Sequence, residues 1–311
     1  MTRTDLAKLI FLAAIWGGSF IFLRISVPEV GVILTATLRI LIAAFALLLF
    51  TRWHRIPMLW RQNLRFYSIV GFFSAALPFC CFSYAAQYLP SAYSAVLNST
   101  APLFGAIFSV LWLSDRLSLR KLSGLLLGIA GVTVLVGAGA LLLNAQTLLA
   151  AGACLIAAAS YAISSILVKK AGTQRDSVGI TLFSHSIHPF AMASGSLAMG
   201  GAMLLPAIPF ILPAVMPSAR ALSSLLAMSL LSSALAQAIF IPLIVRIGPT
   251  RAMTVSFLIP LFSMLWAYLF LHEAVRLSTL IGAGIVLTAM GLILTSTPAT
   301  RLGDDPLTET P

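Results

Sequence analysis

Apolar runs of about twenty residues recur ten times along this 311-residue chain, and only 9% of its residues are charged. A run of that length, at 1.5 Å per residue, spans the hydrocarbon core of a bilayer as a helix. The runs are continuously apolar and do not alternate. They therefore predict helices, each satisfying its own backbone hydrogen bonds, and not the strands of a membrane barrel. The ten segments are Ala7 to Val27, Val32 to Thr51, Phe66 to Gln87, Ala92 to Leu113, Leu122 to Ala140, Thr147 to Val168, Val178 to Leu205, Leu222 to Val245, Arg251 to Leu271 and Leu277 to Ser296. The expected fold is an all-α integral membrane protein. The tail from Thr297, with Asp304, Asp305 and Glu309, is expected to be disordered.

A formal charge of +11 suggests a nucleic-acid partner only if the basic residues cluster on a solvated face. Here they punctuate the apolar runs, which makes them topology signals. With the N-terminus in the cytoplasm, fifteen of the nineteen Lys and Arg residues fall on cytoplasmic segments; Arg24, Arg220 and Arg276 lie outside, and Arg39 lies within a span. The reading is a multi-pass protein of the inner (plasma) membrane with both termini cytoplasmic. Cys80, Cys81 and Cys154 lie inside apolar segments, so neither disulfides nor zinc are expected.

One stretch occurs twice, 158 positions apart. Pro102-Leu103-Phe104 matches Pro260-Leu261-Phe262, Asp115 falls opposite Glu273, and Gly124 opposite Gly282. Five spans per copy is an odd number, so the second copy must enter the membrane from the opposite side. Loop charge swaps accordingly: the basic turn Ser114 to Lys121 corresponds to His272 to Thr279, where Arg276 is the only basic residue. The expected organisation is two inverted five-helix repeats, residues 1–140 and 141–296, followed by the tail 297–311.

Ala14-Ile15-Trp16-Gly17-Gly18-Ser19-Phe20 in the first span, Leu38-Arg39 in the second, and the acidic turns leading to Gly124 and Gly282 resemble the EamA family of the drug/metabolite transporter superfamily. The resemblance covers the chain from Leu6 to Ser296. It implies a secondary transporter of small organic solutes, an exporter of amino acids or related metabolites working by alternating access around a central cavity. It does not fix the substrate.

The residues themselves offer cavity candidates. Arg39 is about 10 Å inside its helix, where a charge must face protein or water. It either meets a substrate carboxylate, or reaches the interface or free carbonyls. Trp16 and Tyr161 lie at mid-depth, away from the interfacial belts, and either line the cavity or pack helices. Ser19 sits beside the small residues of the first span. Asn98 and Ser256 each stand four residues before a proline, Pro102 and Pro260, whose missing N–H frees a carbonyl at depth. Those prolines are hinge candidates or static kinks. Gln237 is polar at depth, and Tyr84 either anchors the interface or reaches an outward-opening cavity. His185 and His188 share one face of the seventh span and are the candidates for proton coupling, or else bond neighbouring helices.

All eight acidic residues lie in loops, at span ends or in the tail. A proton-coupled exporter of drugs or organic cations, the alternative carrier, wants a carboxylate at the midplane. A non-transporting scaffold would need no cavity. No zinc-protease, serine-hydrolase or Walker signature is present, so neither an enzyme nor a cofactor is expected.

Overall fold

The computed structural model describes residues 1–89, 91–113, 118–136, 144–173, 187–271 and 277–295. The described residues are helical or loop, with no strand among them. The helices are α1 (Arg3–Val30), α2 (Val32–Trp53), α3 (Trp60–Gly71), α4 (Leu77–Tyr88), α5 (Ser91–Asn98), α6 (Ala101–Leu113), α7 (Leu119–Val136), α8 (Ala145–Thr173), α9 (Pro189–Leu204), α10 (Ala219–Ala227), α11 (Ala236–Ile247), α12 (Pro249–Met253), α13 (Val255–Leu271) and α14 (Leu277–Thr295). Two wider π-helical segments, Phe72–Ala76 and Met228–Leu235, join α3 to α4 and α10 to α11 into continuous rods. Six rods are long and apolar enough to cross a membrane: Arg3–Val30, Val32–Trp53, Trp60–Tyr88, Ala145–Ala171, Pro189–Phe210 and Ala219–Ile247. The chain is a multi-pass membrane protein.

The first rod organises the rest. Helix α1 opens on a reciprocal cap: Thr2 accepts from the Asp5 backbone, and the Asp5 carboxylate accepts from the Thr2 N–H and hydroxyl, both at 2.9 Å. It closes at Gly31, whose φ of +88° disfavours any side chain. Between those ends α1 runs antiparallel along the rod 219–247. Asp5 forms an ion pair with Arg246, the Trp16 indole donates to the Ser232 carbonyl at 2.9 Å, Ser26 donates to the Ala221 carbonyl at 3.1 Å, and Glu29 accepts from Ser218 at 2.6 and 2.9 Å. The partner number falls steadily as the α1 number rises, so the two rods are zipped along their whole length.

Asp5 thus caps one helix and pairs with another while its side chain is only 3% exposed. Asp5→Ala should lower the thermal midpoint of the purified protein, with a cost of about 1–2 kcal/mol: about 1 for the cap and the rest from a pair discounted because Arg246 is half exposed. A double-mutant cycle with Arg246→Gln separates the two parts, and additive effects would remove the ion pair's contribution.

The π segments fall at corresponding places. Adding 158 to Phe72–Ala76 gives 230–234, inside Met228–Leu235. A π turn widens the helix and redirects its carbonyls, and Ser232 uses one of these to receive Trp16 while its own hydroxyl donates to the Ile15 carbonyl at 3.2 Å. Helices α7 and α14, which start at the matching residues Leu119 and Leu277, pack antiparallel on each other: Gly124 abuts Ala289 and Ile293, while Gly131 abuts Ile285 and Val286.

Two helices break where continuous spans are expected. The stretch 91–113 is interrupted at Ser99–Thr100, just ahead of Ala101 and Pro102, and the Ser99 and Thr100 hydroxyls donate to the Ala95 and Leu97 carbonyls at 2.8 and 2.7 Å. The stretch 249–271 breaks at Thr254, so Pro260 lies inside α13 rather than at the interruption. Of the seventh apolar run, Val178 to Leu205, the described part begins at residue 187. Residues 178–186 lie outside the described residues, and α9 begins at Pro189, because a residue before proline is pushed out of helical geometry and His188 adopts φ −61°, ψ 132°. The tail 297–311 also lies outside the described residues.

Candidate functional site

A cavity of about 90 Å³ lies halfway along α1, walled by α1, α2, α4, α5, α8, α11, α12, α13 and the second π segment. That holds a handful of waters at about 10–15 Å³ each. It is well under the roughly 300 Å³ of the smallest common ligand pockets, so a larger solute requires the walls to part.

Seven of the ten cavity candidates from the sequence line it: Trp16, Ser19, Arg39, Asn98, Tyr161, Gln237 and Ser256. Of the other three, two do not meet there. Tyr84 is half-buried and packs its ring 5.0 Å from Tyr88; it belongs to the apolar cluster around Cys154 and is not among the residues that line the cavity. His188 is exposed and caps α9, accepting from the Phe190 N–H at 3.3 Å. His185 lies outside the described residues.

The polar groups of the wall divide into two sets. Trp16, Ser19 and Ser232 are engaged: Trp16 donates to the Ser232 carbonyl and Ser232 to the Ile15 carbonyl, joining α1 to the rod 219–247, and Ser19 donates within α1 to the Trp16 carbonyl at 2.6 Å. The others are available. Arg39, buried at 6% exposure, gives only its Nε to the Ser233 hydroxyl, at 2.7 Å; its two terminal amino groups have no hydrogen-bond acceptor among the described residues. The Asn98, Gln237 and Ser256 side chains and the Tyr161 hydroxyl likewise have no hydrogen-bond partner among the described residues, although all four residues line the cavity. Buried polar groups are normally paired. A wall with this many unpaired is built for a polar guest or for water.

Aromatic rings fix the position of these groups. The Arg39 guanidinium carbon sits 3.9 Å from the Phe79 ring centroid, an arrangement in which the ring face attracts the cation while leaving its outer nitrogens free. Tyr161 stacks on Phe82 at 6.1 Å, Phe82 meets Phe20 edge-on at 6.3 Å, and Trp16 meets Phe240 edge-on at 5.0 Å.

Phe79, Phe82, Phe240 and the pair Ser232 and Ser233 were not singled out from the sequence. A signal for three of them existed. The offset of 158 carries Phe79 to Gln237, Phe82 to Phe240 and Asn98 to Ser256, and both members of every pair line the cavity. Moving the known candidate Gln237 back by 158 would have found Phe79.

A helical membrane protein with a buried, aromatic-walled, polar-dotted cavity between its rods has the form of a solute carrier. The EamA-like transporter family model matches residues 6–137 and again 147–295, and the chain belongs to that family. It is a transporter of the drug/metabolite superfamily type. Among its relatives, the uncharacterized transporter YvbV of Bacillus subtilis is 28% identical, with 96% of this chain and 94% of that one covered. The probable amino-acid metabolite efflux pump of Salmonella typhimurium is 25% identical, covering 93% and 94%, and its Escherichia coli namesake is 24% identical over the same shares. A solved crystal structure superposes with a TM-score of 0.76 over 94% of this chain and 96% of that one at 16% identity, a likeness of fold alone.

Proposed function

We propose that this transporter exports amino acids or related metabolites by alternating access, with the cavity around Arg39 as the solute site. The observation that carries the reading is the guanidinium of Arg39. It is buried among aromatic rings, anchored through one nitrogen, and holds its planar two-donor end unpaired, which is the geometry that receives a carboxylate. The names of the Salmonella and Escherichia relatives agree with that substrate class. No Asp or Glu is among the described residues that line the cavity, which disfavours organic cations.

The architecture we propose is ten transmembrane helices in two inverted five-helix repeats, residues 1–140 and 141–296, in the inner membrane with both termini cytoplasmic. Its supports are the two family matches, the antiparallel packing of α7 on α14, and the recurrence of cavity positions at one offset. Pro102 and Pro260 are retained as hinge candidates.

Two measurements test this. Reporters fused after Gln87, Ala140 and Ala207 should report from the outside, and those after Arg61, Lys121, Lys170 and the C-terminus from the cytoplasm; a consistent reversal would overturn the orientation. Cells overproducing the chain should accumulate one or more amino-acid metabolites in the medium, and a profile identical to that of the vector control would overturn the export reading.

A further inference from the structure

The geometry points to a site selective for monoanionic carboxylates whose nitrogen is uncharged, such as N-acylated amino acids, over the free zwitterionic amino acids. This rests on the proposed solute site and narrows its substrate class. Arg39 supplies the one full charge among the described lining residues, and the other polar groups among them are neutral. The nearest described carboxylates are Asp5 and Glu29, one paired with Arg246 and the other bonded to Ser218, at the two ends of α1 and roughly 15 Å along the helix from Trp16 and Ser19.

A monoanion brings the net charge of the cavity to zero. A zwitterion leaves it at one positive charge and seats an ammonium within a few ångströms of the guanidinium, with no carboxylate among the described lining residues to pair it. Like charges at that range in a low-dielectric site disfavour each other, and a buried unpaired ammonium is the more costly guest.

The neutral groups suit an amide instead. The Asn98 carbonyl oxygen is fully buried and has no donor among the described residues, and its amide stands with those of Gln237 and the hydroxyl of Ser256 along the same wall. Primary amides and hydroxyls donate and accept, so an acylamino N–H and C=O satisfy them without desolvating a second charge. Phe20, Phe79, Phe82 and Phe240 leave apolar surface for an acyl methyl and an aliphatic side chain.

The test is equilibrium binding of L-leucine, N-acetyl-L-leucine and the uncharged N-acetyl-L-leucinamide to the purified full-length protein in lipid nanodiscs. N-acetyl-L-leucine should bind at least about tenfold more tightly than either of the others. Asn98→Asp, which adds a carboxylate with almost no change in shape, should reverse the order in favour of L-leucine, and Gln237→Glu provides the same swap if the first variant fails to fold. L-Leucine binding as tightly as its N-acetyl derivative overturns the selectivity and leaves the carrier reading standing. Saturable binding of none of the three overturns both.

Discussion

Replacing Arg39 by glutamine should weaken binding of a carboxylate solute by roughly ten- to a hundredfold, while leaving membrane insertion intact. The magnitude follows from the loss of a charge-assisted hydrogen bond in a desolvated site, about 1.5–3 kcal/mol. Insertion should survive because a neutral amide costs less in the membrane than a guanidinium. Arg39→Lys separates charge from shape. It keeps the charge but loses the Nε bond to Ser233, the planar contact with Phe79 and the two-donor fork, so its affinity should fall between those of the parent and Arg39→Gln. Solute affinity measured in reconstituted vesicles decides the matter. A glutamine variant with unchanged affinity and rate would reduce Arg39 to a packing residue over Phe79.

The sequence made the class of this protein readable because it rests on gross features. Twenty-residue apolar runs leave few alternatives in a bilayer, and the 158-residue offset, found from Pro, Phe and Gly, also relates three pairs of residues in the cavity wall. Rotational phase was much harder to read. Phe82 and Tyr84 are two residues apart and so about 200° apart around the helix, yet a helix apolar on every side gives no stripe to say which of them faces inward. Tyr84 was the polar, more conspicuous choice, and Phe82 lines the cavity.

The π segments had no sequence marker either. Phe72–Ala76 contains neither glycine nor proline, and the widening is visible only through the packing it serves. Polar residues at depth also look alike until their partners are known. Trp16 ties α1 to the rod 219–247 and Ser19 bonds back to a carbonyl of its own helix, whereas Asn98, Gln237 and Ser256 are left without hydrogen-bond partners among the described residues, and composition cannot distinguish these roles. His188 illustrates a local signal that was outweighed: Pro189 beside it marks a helix start, which places the histidine at an exposed cap.

Gly17 and Gly18 are neighbours with opposite expected responses to the same change. A Cβ on Gly17 would lie 2.8 Å from both the Ser263 backbone nitrogen and the Phe262 Cβ, and 3.1 Å from the Ile259 carbonyl oxygen, so α1 and α13 touch there backbone to backbone. Inside a bilayer, where lipid removes the hydrophobic drive for helices to associate, such close approach is a main source of cohesion. Gly17→Ala must therefore push the two helices apart, at an overpacking cost of about 1–3 kcal/mol. The displacement also strains the Trp266 indole bond to the Ala14 carbonyl, now 2.8 Å, which contributes about 1 kcal/mol more. Because Trp16 and Ser19 on α1 and Ser256 and Ile259 on α13 form adjoining parts of the cavity wall, solute affinity should fall together with stability. A Cβ on Gly18 meets only the Trp266 ring, at 3.7 Å, which is ordinary contact. Gly18→Ala should be neutral, or stabilising by up to about 1 kcal/mol through helix propensity. Thermal unfolding of the two variants in one detergent, with solute binding measured on the same samples, tests the contrast. If Gly17→Ala matches Gly18→Ala in both, α1 and α13 are not in backbone contact, and the wall between them is formed by side chains free to adjust.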